Sequence, residues 1–301
     1  VKTMQRSQPA SLNNNRASSE FTSIYGNAEN NIINGDIYNN LIYGSGGNDL
    51  ISGGDGYDIL TYQNALSAVT LLRGGTILQG NQNTDQITDF SIEKIIGPRG
   101  FNNSIDGSTG STASVNINSR TGQLTINGLP GVGNASIEFE NFSSITGSQN
   151  DDIIIGSRNR EQLSGAAGND YIKGGTGRDQ LTGGLGNDIF SFTIGDSTLS
   201  NWDIITDFSM SEDFIEWDQE ITQMNNAGFV NSLRRRDIAE LLDESKLSAG
   251  AAALIQTIMP NNEIDRSFLM INDSKEGFQG KDETMIEITG FTGFAEEMNF
   301  I

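Results

Sequence analysis

The sequence predicts a mainly β protein: a parallel β-roll, or β-solenoid, of short repeats, with an irregular β insert and a small α+β C-terminal cap. Three observations predict it. Glycine recurs every nine residues in two blocks, at Gly26, Gly35, Gly44 and Gly53 and again at Gly147, Gly156, Gly165, Gly174 and Gly183. The eighth position of every nine-residue unit is apolar, and the sixth is acidic or an asparagine. A fixed short period of this kind is the mark of stacked coils, because one coil cannot bury its single apolar side chain without neighbours.

The first block, 26–61, reads GNAENNIIN, GDIYNNLIY, GSGGNDLIS and GGDGYDILT. The second, 147–191, reads GSQNDDIII, GSRNREQLS, GAAGNDYIK, GGTGRDQLT and GGLGNDIFS. The leading glycine permits a tight turn and close backbone approach. The fourth position is glycine at Gly47, Gly56, Gly168, Gly177 and Gly186, and asparagine at Asn150 and Asn159. Asparagine is the next residue most tolerant of the left-handed region. Glu29 and Tyr38 break that rule, which points to looser turns at the start.

Positions seven to nine read as a short strand whose eighth side chain points inward: Ile33, Ile42, Ile51, Leu60, Ile154, Leu163, Ile172, Leu181 and Phe190. Stacking at about 4.8 Å per strand aligns these side chains and also the sixth-position groups. Those are Asn31, Asn40, Asp49 and Asp58 in the first block, and Asp152, Glu161, Asp170, Asp179 and Asp188 in the second. A row of carboxylates at that spacing repels itself unless a cation lies between the turns. Carboxylate oxygens with exposed loop carbonyls, on a flexible loop, favour Ca²⁺ over Mg²⁺, which demands tighter octahedral geometry.

Here the chain resembles the RTX, or hemolysin-type, family, whose repeat is G-G-x-G-x-D-x-U-x. Residues 174–182 and 183–191 fit that pattern in full. The resemblance implies two repeats per roll turn and several Ca²⁺ ions held between units n and n+2. It pairs Asp152 with Asp170, Glu161 with Asp179, Asp170 with Asp188, Asn31 with Asp49, and Asn40 with Asp58. It also implies ligands from the turns that begin at Gly165, Gly174 and Gly183, including Gly168, Gly177 and Gly186. A neutral amide gives up a ligand charge, so block 2 is expected to bind more tightly than block 1.

Residues 1–25 are rich in serine and asparagine and are expected to be a flexible leader. The insert, 62–146, holds alternating runs at Ser114–Asn118 and Gln123–Asn127, with a hairpin turn at Arg120-Thr121-Gly122. The roll is expected to continue through it as irregular β structure, a separate small β domain being the alternative. The seventh position in block 1 is also apolar, at Ile32, Leu41, Leu50 and Ile59, and the insert or a partner chain is expected to cover that row.

Residues 192–301 are expected to cap the roll and to carry the export signal. The run Trp202-Asp203-Ile204-Ile205-Thr206-Asp207-Phe208 resembles the D-x-I-x-D-F segment that closes RTX rolls, and some of Asp203, Asp207, Asp213 and Asp218 are expected to complete a last calcium site while the aromatics between them cap the core. Residues 232–258 read as the one good helical stretch, ended by Pro260, with Arg234-Arg235-Arg236 as a solvated charge run. Phe268–Asp273 and Thr284–Gly290 read as closing strands. The tail from Ser267 resembles the bluetail C-terminal domain of cyanobacterial surface proteins, on the FLMIND run, Gly277-Phe278 and Ile286–Phe291. RTX proteins generally leave the cell through a type I channel, and the acidic-then-apolar end Glu296–Ile301 suits an uncleaved C-terminal signal.

Composition narrows the function. Lys plus Arg number 18 against 39 Asp plus Glu, a net charge of −21, so neither nucleic acid nor anionic membrane is an expected partner. There is no cysteine and no histidine, which removes disulfides, thiolate metal sites and His-dependent catalytic triads. No apolar run approaches the ~18 residues of a membrane span. The start carries no signal-peptide h-region, and it begins with Val1, as a processed product or an excised fragment would.

The expectation is therefore a non-enzymatic, calcium-binding structural or interaction protein, extracellular or on the cell surface, that folds on Ca²⁺ after export. Its expected partners are calcium, a type I secretion channel and a cell-surface or extracellular polysaccharide. The alternative is the C-terminal module of a larger secreted protease or lipase whose catalytic domain lies outside this chain. A carboxylate-only glycosidase or polysaccharide lyase is a third, weaker reading, because the repeat spacing already explains the paired carboxylates.

Overall fold

The computed structural model describes residues 2–4, 21–80, 83–109, 113–129, 133–242, 246–259, 264–272, 278, 283–289 and 298–301. It divides into two compact units, Val1–Thr146 and Gly147–Ile301. Pro260, Gly277, the Gly290-Phe291 pair and Glu296-Glu297, all used in the sequence reading, lie outside the described residues.

In unit 1 the repeats form short strands that alternate between two parallel faces. On one face β1 (Lys2–Met4), β3 (Asn31–Asn34) and β5 (Leu50–Ser52) stack in order; on the other, β2 (Thr22–Tyr25), β4 (Asn40–Tyr43) and β6 (Ile59–Thr61). The register is the eighteen-residue step of two repeats, with Ile33 beside Ile51 and Ile42 beside Leu60. All four of these side chains are fully buried. Each such burial contributes about 1.5–3 kcal/mol.

The leader expectation needs correction at both ends. Residues 2–4 pair with β3, and β2 pairs with β4 from Thr22↔Asn40 to Tyr25↔Tyr43. Ile24 lies nine residues before Ile33 and is buried, so β2 is a degenerate coil whose glycine signal is gone but whose core residue remains.

The roll runs on through the insert, with two antiparallel excursions. The first is β7 (Val69–Leu72), β8 (Thr76–Gln79) and β9 (Asn83–Ile87), whose last strand becomes the coil after β5, with Ile51 beside Ile87. β10 (Lys94–Ile96) then follows β6, and β11 (Asn103–Asp106) stacks on β7. The second excursion is β12 (Ser114–Asn118), β13 (Gln123–Leu129) and β14 (Gly133–Glu140). It turns at Gly122, where φ is +69°, and lays β14 beside β10. β15 (Phe142–Thr146) closes the unit beside β11.

The seventh-position residues do not form one row. Ile32 lies beside Leu50 on one face and Leu41 beside Ile59 on the other, because successive repeats fall on opposite faces. Leu50 is exposed and the other three are half-buried, so the expected cover is incomplete.

In unit 2, β16 (Ile153–Ile155), β18 (Tyr171–Lys173), β20 (Ile189–Phe192) and β22 (Phe214–Trp217) stack on one face. β17 (Gln162–Ala167), β19 (Gln180–Leu185) and β21 (Asp203–Ile205) stack on the other. Ile154, Leu163, Ile172, Leu181 and Phe190 fill the interior, continued by Ile205 and Ile215. The cap adds β23 (Gln223–Val230), α1 (Arg235–Leu241), β24 (Ala251–Ile258), β25 (Ile264–Ile271) and β26 (Thr284–Ile288).

The helix expected over 232–258 is confined to α1. Ala251–Ile258 is instead β24, parallel to β23 and antiparallel to β25. A strand flanked on both edges and covered on both faces is apolar throughout, and such a run has no period to distinguish it from a buried helix. Arg234, Arg235 and Arg236 are exposed, as a solvated charge run should be. β26 joins β21, with Ile205 beside Ile288, and so closes the roll's open end. Glu287 fastens that closure: its carboxylate accepts Trp202 Nε1–H at 2.9 Å and Arg266 Nε–H at 2.8 Å. Arg178 lies 4.6 Å above the Trp202 ring, tying the last repeats to the cap.

Candidate metal centres

The sixth-position groups form four ladders. In block 2 the backbone N–H of Asp152 donates to Asp170 Oδ1 at 2.8 Å, that of Glu161 to Asp179 Oδ1 at 2.8 Å, and that of Asp170 to Asp188 Oδ1 at 2.9 Å. In block 1, Asn31 N–H donates to Asp49 Oδ1 at 2.8 Å and Asn40 N–H to Asp58 Oδ1 at 2.7 Å. All five pairs implied by the resemblance are thus brought together, one side chain above the next.

Above the first turn of each block, each of these aspartates spends Oδ1 on the coil before it. The second oxygen is left over. Asp49, Asp58, Asp170, Asp179, Asp188 and Asp203 each have a buried Oδ2 with no hydrogen-bond partner. A buried, unpaired carboxylate is costly and demands either a proton or a cation. Burial pushes these acids up from the ordinary carboxylate range: Asp170 and Asp203 to about 8, Asp58 and Asp179 to about 7, Asp49 and Asp188 to about 6.

The glycines shape the space beside these oxygens. A Cβ added at Gly165 would collide with Asp170 Oδ2 and approach the carbonyl oxygen of Gly183; one at Gly174 or Gly183 would meet Asp179 Oδ2 or Asp188 Oδ2. Cβ atoms at Gly168, Gly177 and Gly186 would run into the carbonyls of Asn150, Asn159 and Gly168, so these glycines let one turn nest on the next. What remains at the leading glycines is an oxygen-lined cradle. Among the described residues no three carboxylates converge, so a cation there would draw on one or two carboxylates and on backbone carbonyls. That donor set suits a hard ion such as Ca²⁺.

The first turn of each block behaves differently. Asn31 Oδ1 accepts the N–H of Asn27 at 2.9 Å, and Asn40 Oδ1 that of Asp36 at 2.7 Å. Asp152 and Glu161 likewise accept the N–H groups of Ser148 and Ser157. Here the side-chain oxygen closes its own turn.

Sequence reading had Asp203 and Asp213 among the candidates for a last calcium site but missed Asp85 and Glu93 at the ends of the block 1 ladders. Asp49 N–H donates to Asp85, Asp58 N–H to Glu93, Asp179 N–H to Asp203 and Asp188 N–H to Asp213, at 2.6–3.0 Å. It also missed a second ladder at the fifth position running in the opposite sense: Asn48 N–H to Asn30 Oδ1, Asn169 N–H to Asp151 Oδ1, and Asn187 N–H to Asn169 Oδ1. The recurrence of Asn and Asp just before the sixth position was the signal.

Comparison with known proteins agrees with this geometry. The family model of the RTX calcium-binding nonapeptide repeat (4 copies) matches residues 25–60, 155–190 and 164–199, so the chain carries RTX calcium-binding repeats in both blocks. No curated protein matches the chain. Among solved structures, the extracellular lipase LipA from Serratia marcescens is similar at 15% identity and a TM-score of 0.23. That match covers 96% of this chain, which spans 41% of the lipase's length. No helix among the described residues is long and apolar enough to cross a membrane.

Proposed function

We propose that this chain is an exported calcium-binding structural and interaction module that completes its fold on Ca²⁺ outside the cell. One observation carries the reading: six buried carboxylate oxygens, stacked coil on coil, have no partner of their own. At low calcium they repel and must take up protons. At extracellular calcium, where sites as weak as about 10⁻⁴–10⁻³ M fill, the cation replaces the proton and binding energy becomes folding energy. The residues proposed to hold it are Asp170, Asp179 and Asp188 with the carbonyls of the turns at Gly165, Gly174 and Gly183, and Asp152 and Glu161 as their lower neighbours.

No catalytic role is proposed, since a chain without histidine or cysteine offers no nucleophile–base pair of the usual kinds. Passage through a type I channel as an unfolded, disulfide-free chain, a bluetail-like tail, residence at the cell surface and a polysaccharide ligand belong to the same proposal. Calorimetric titration of the full chain with CaCl₂ after chelator dialysis, beside metal analysis, tests it. Several ions bound with a gain of β structure are expected; no uptake at about 10⁻³ M calcium would refute it.

A further inference from the structure

The last turn of block 1 is completed by residues that belong to no repeat. We infer that Asp58 Oδ2, the carbonyl oxygen of Ser91 and the carboxylate of Glu93 hold a divalent cation, at a site half repeat and half insert. The inference rests on the calcium reading above and adds a site that the repeat pattern does not contain.

Asp58 is fully buried, and its Oδ2 has no hydrogen-bond partner. It points into the cradle at Gly53, where an added Cβ would collide with Ser91 O and lie 2.5 Å from Asp58 Oδ2. In block 2 the carbonyl opposite Asp170 at the cradle of Gly165 comes from Gly183, a repeat glycine. In block 1 the chain leaves the repeat after Thr61 and returns thirty residues later, and Ser91 supplies that oxygen. Glu93 Oε2 accepts Asp58 N–H at 2.6 Å, as Asp188 accepts Asp170 N–H in block 2. Glu93 N–H and Lys94 N–H both return to Asp58 O at 3.1 Å. Ser91 Oγ accepts Gly53 N–H at 2.7 Å and Gly54 N–H at 3.2 Å and is itself held by Asp89, so the carbonyl is fixed in place. The site is built, oxygen-lined and crowded with negative charge from Glu93, Asp36 and Asp89.

The other ladder of the same block ends in the opposite way. Eighteen residues after Gly44 stands Tyr62 in place of a glycine, and its buried ring fills the cradle that Gly44 would leave. Its hydroxyl donates to Asp85 Oδ2 at 2.6 Å, joined by Gln79 Nε2–H at 2.6 Å, while Asp85 Oδ1 takes Asp49 N–H at 2.9 Å. Both oxygens of Asp85 are therefore satisfied by neutral donors. A phenol and an amide thus occupy the acid that stands where Glu93 stands in the other ladder, leaving it less free to serve a cation, while Asp49 Oδ2 itself stays unpaired.

Two measurements test the site. In crystals grown with terbium as a calcium surrogate, anomalous scattering should place an ion about 2.3–2.6 Å from Asp58 Oδ2 and Ser91 O. In solution, Glu93→Gln keeps an acceptor for Asp58 N–H but loses the charge, and should remove one bound calcium or weaken one site at least about tenfold. Tyr62→Phe should leave the calcium count unchanged. A wild-type chain that binds no calcium would sink the parent reading. Ions in unit 2 with none between Asp58 and Ser91, or a folded Glu93→Gln chain with the wild-type count and affinity, would overturn this inference alone. Should Glu93→Gln not fold, the wild-type crystal decides.

Discussion

Blocks 1 and 2 share their geometry and differ in their charge. In both, the first turn closes on itself through a side-chain oxygen that accepts the N–H four residues earlier, and in both the next turn leaves Oδ2 unpaired. In block 1 the closing groups are the amides of Asn31 and Asn40; in block 2 they are the carboxylates of Asp152 and Glu161. The backbone register therefore does not depend on the acid. The acid decides how much negative charge the coils must neutralise.

Acidity should expose that difference most strongly. These aspartates have folded-state pKa values raised above about 4, so without calcium the stability they allow is fully present below pH 4 and is lost as pH rises through about 6 to 8. In chelator, melting should therefore fall between pH 5 and pH 8 by more than about 2 kcal/mol, or roughly 5 °C at this chain length. Unit 2 should fall further, since Asp170 and Asp203 titrate highest. Both tryptophans, Trp202 and Trp217, lie in unit 2 and five of the six tyrosines in unit 1, so fluorescence and near-ultraviolet dichroism read the two separately. Equal loss in both units would break the comparison.

Exchanging the closing groups should move the blocks toward each other. Asn40→Asp adds a ligand charge beside Asp58 and should tighten calcium binding in block 1 by about tenfold, near 1.4 kcal/mol. Asp152→Asn should weaken block 2 by a similar factor, read by calorimetric titration. A smaller effect is expected at Ala166, which adopts φ +81° where the corresponding residues of the next two repeats are glycines, Gly175 and Gly184. Ala166→Gly relieves that strain and should raise the melting point by the equivalent of less than about 1 kcal/mol.

Most of the roll was legible because its two signals, glycine at position one and an apolar residue at position eight, repeat at fixed spacing. The five sixth-position pairs came from the resemblance to RTX repeats, which puts two repeats in one turn. The partners of the ladder ends lay outside that spacing, because Asp85, Glu93, Asp203 and Asp213 stand 36, 35, 24 and 25 residues beyond the residues they serve rather than 18. Only the fold brings them into line. β2 was hidden because Ile24 alone survives of its repeat, and β24 because a strand buried on both faces offers no alternation to read.

Thermal unfolding of the whole chain at pH 7.5, in excess chelator and again in calcium at about 10⁻³ M, weighs everything above at once. A site with a dissociation constant of about 10⁻⁴ M should add about 1.4 kcal/mol at that calcium concentration, so tryptophan-detected melting of unit 2, with several such sites, should rise well beyond the effect of one site. Identical melting curves in the two conditions would mean that the unpaired carboxylates have found some other partner, and that cations do not hold these coils together.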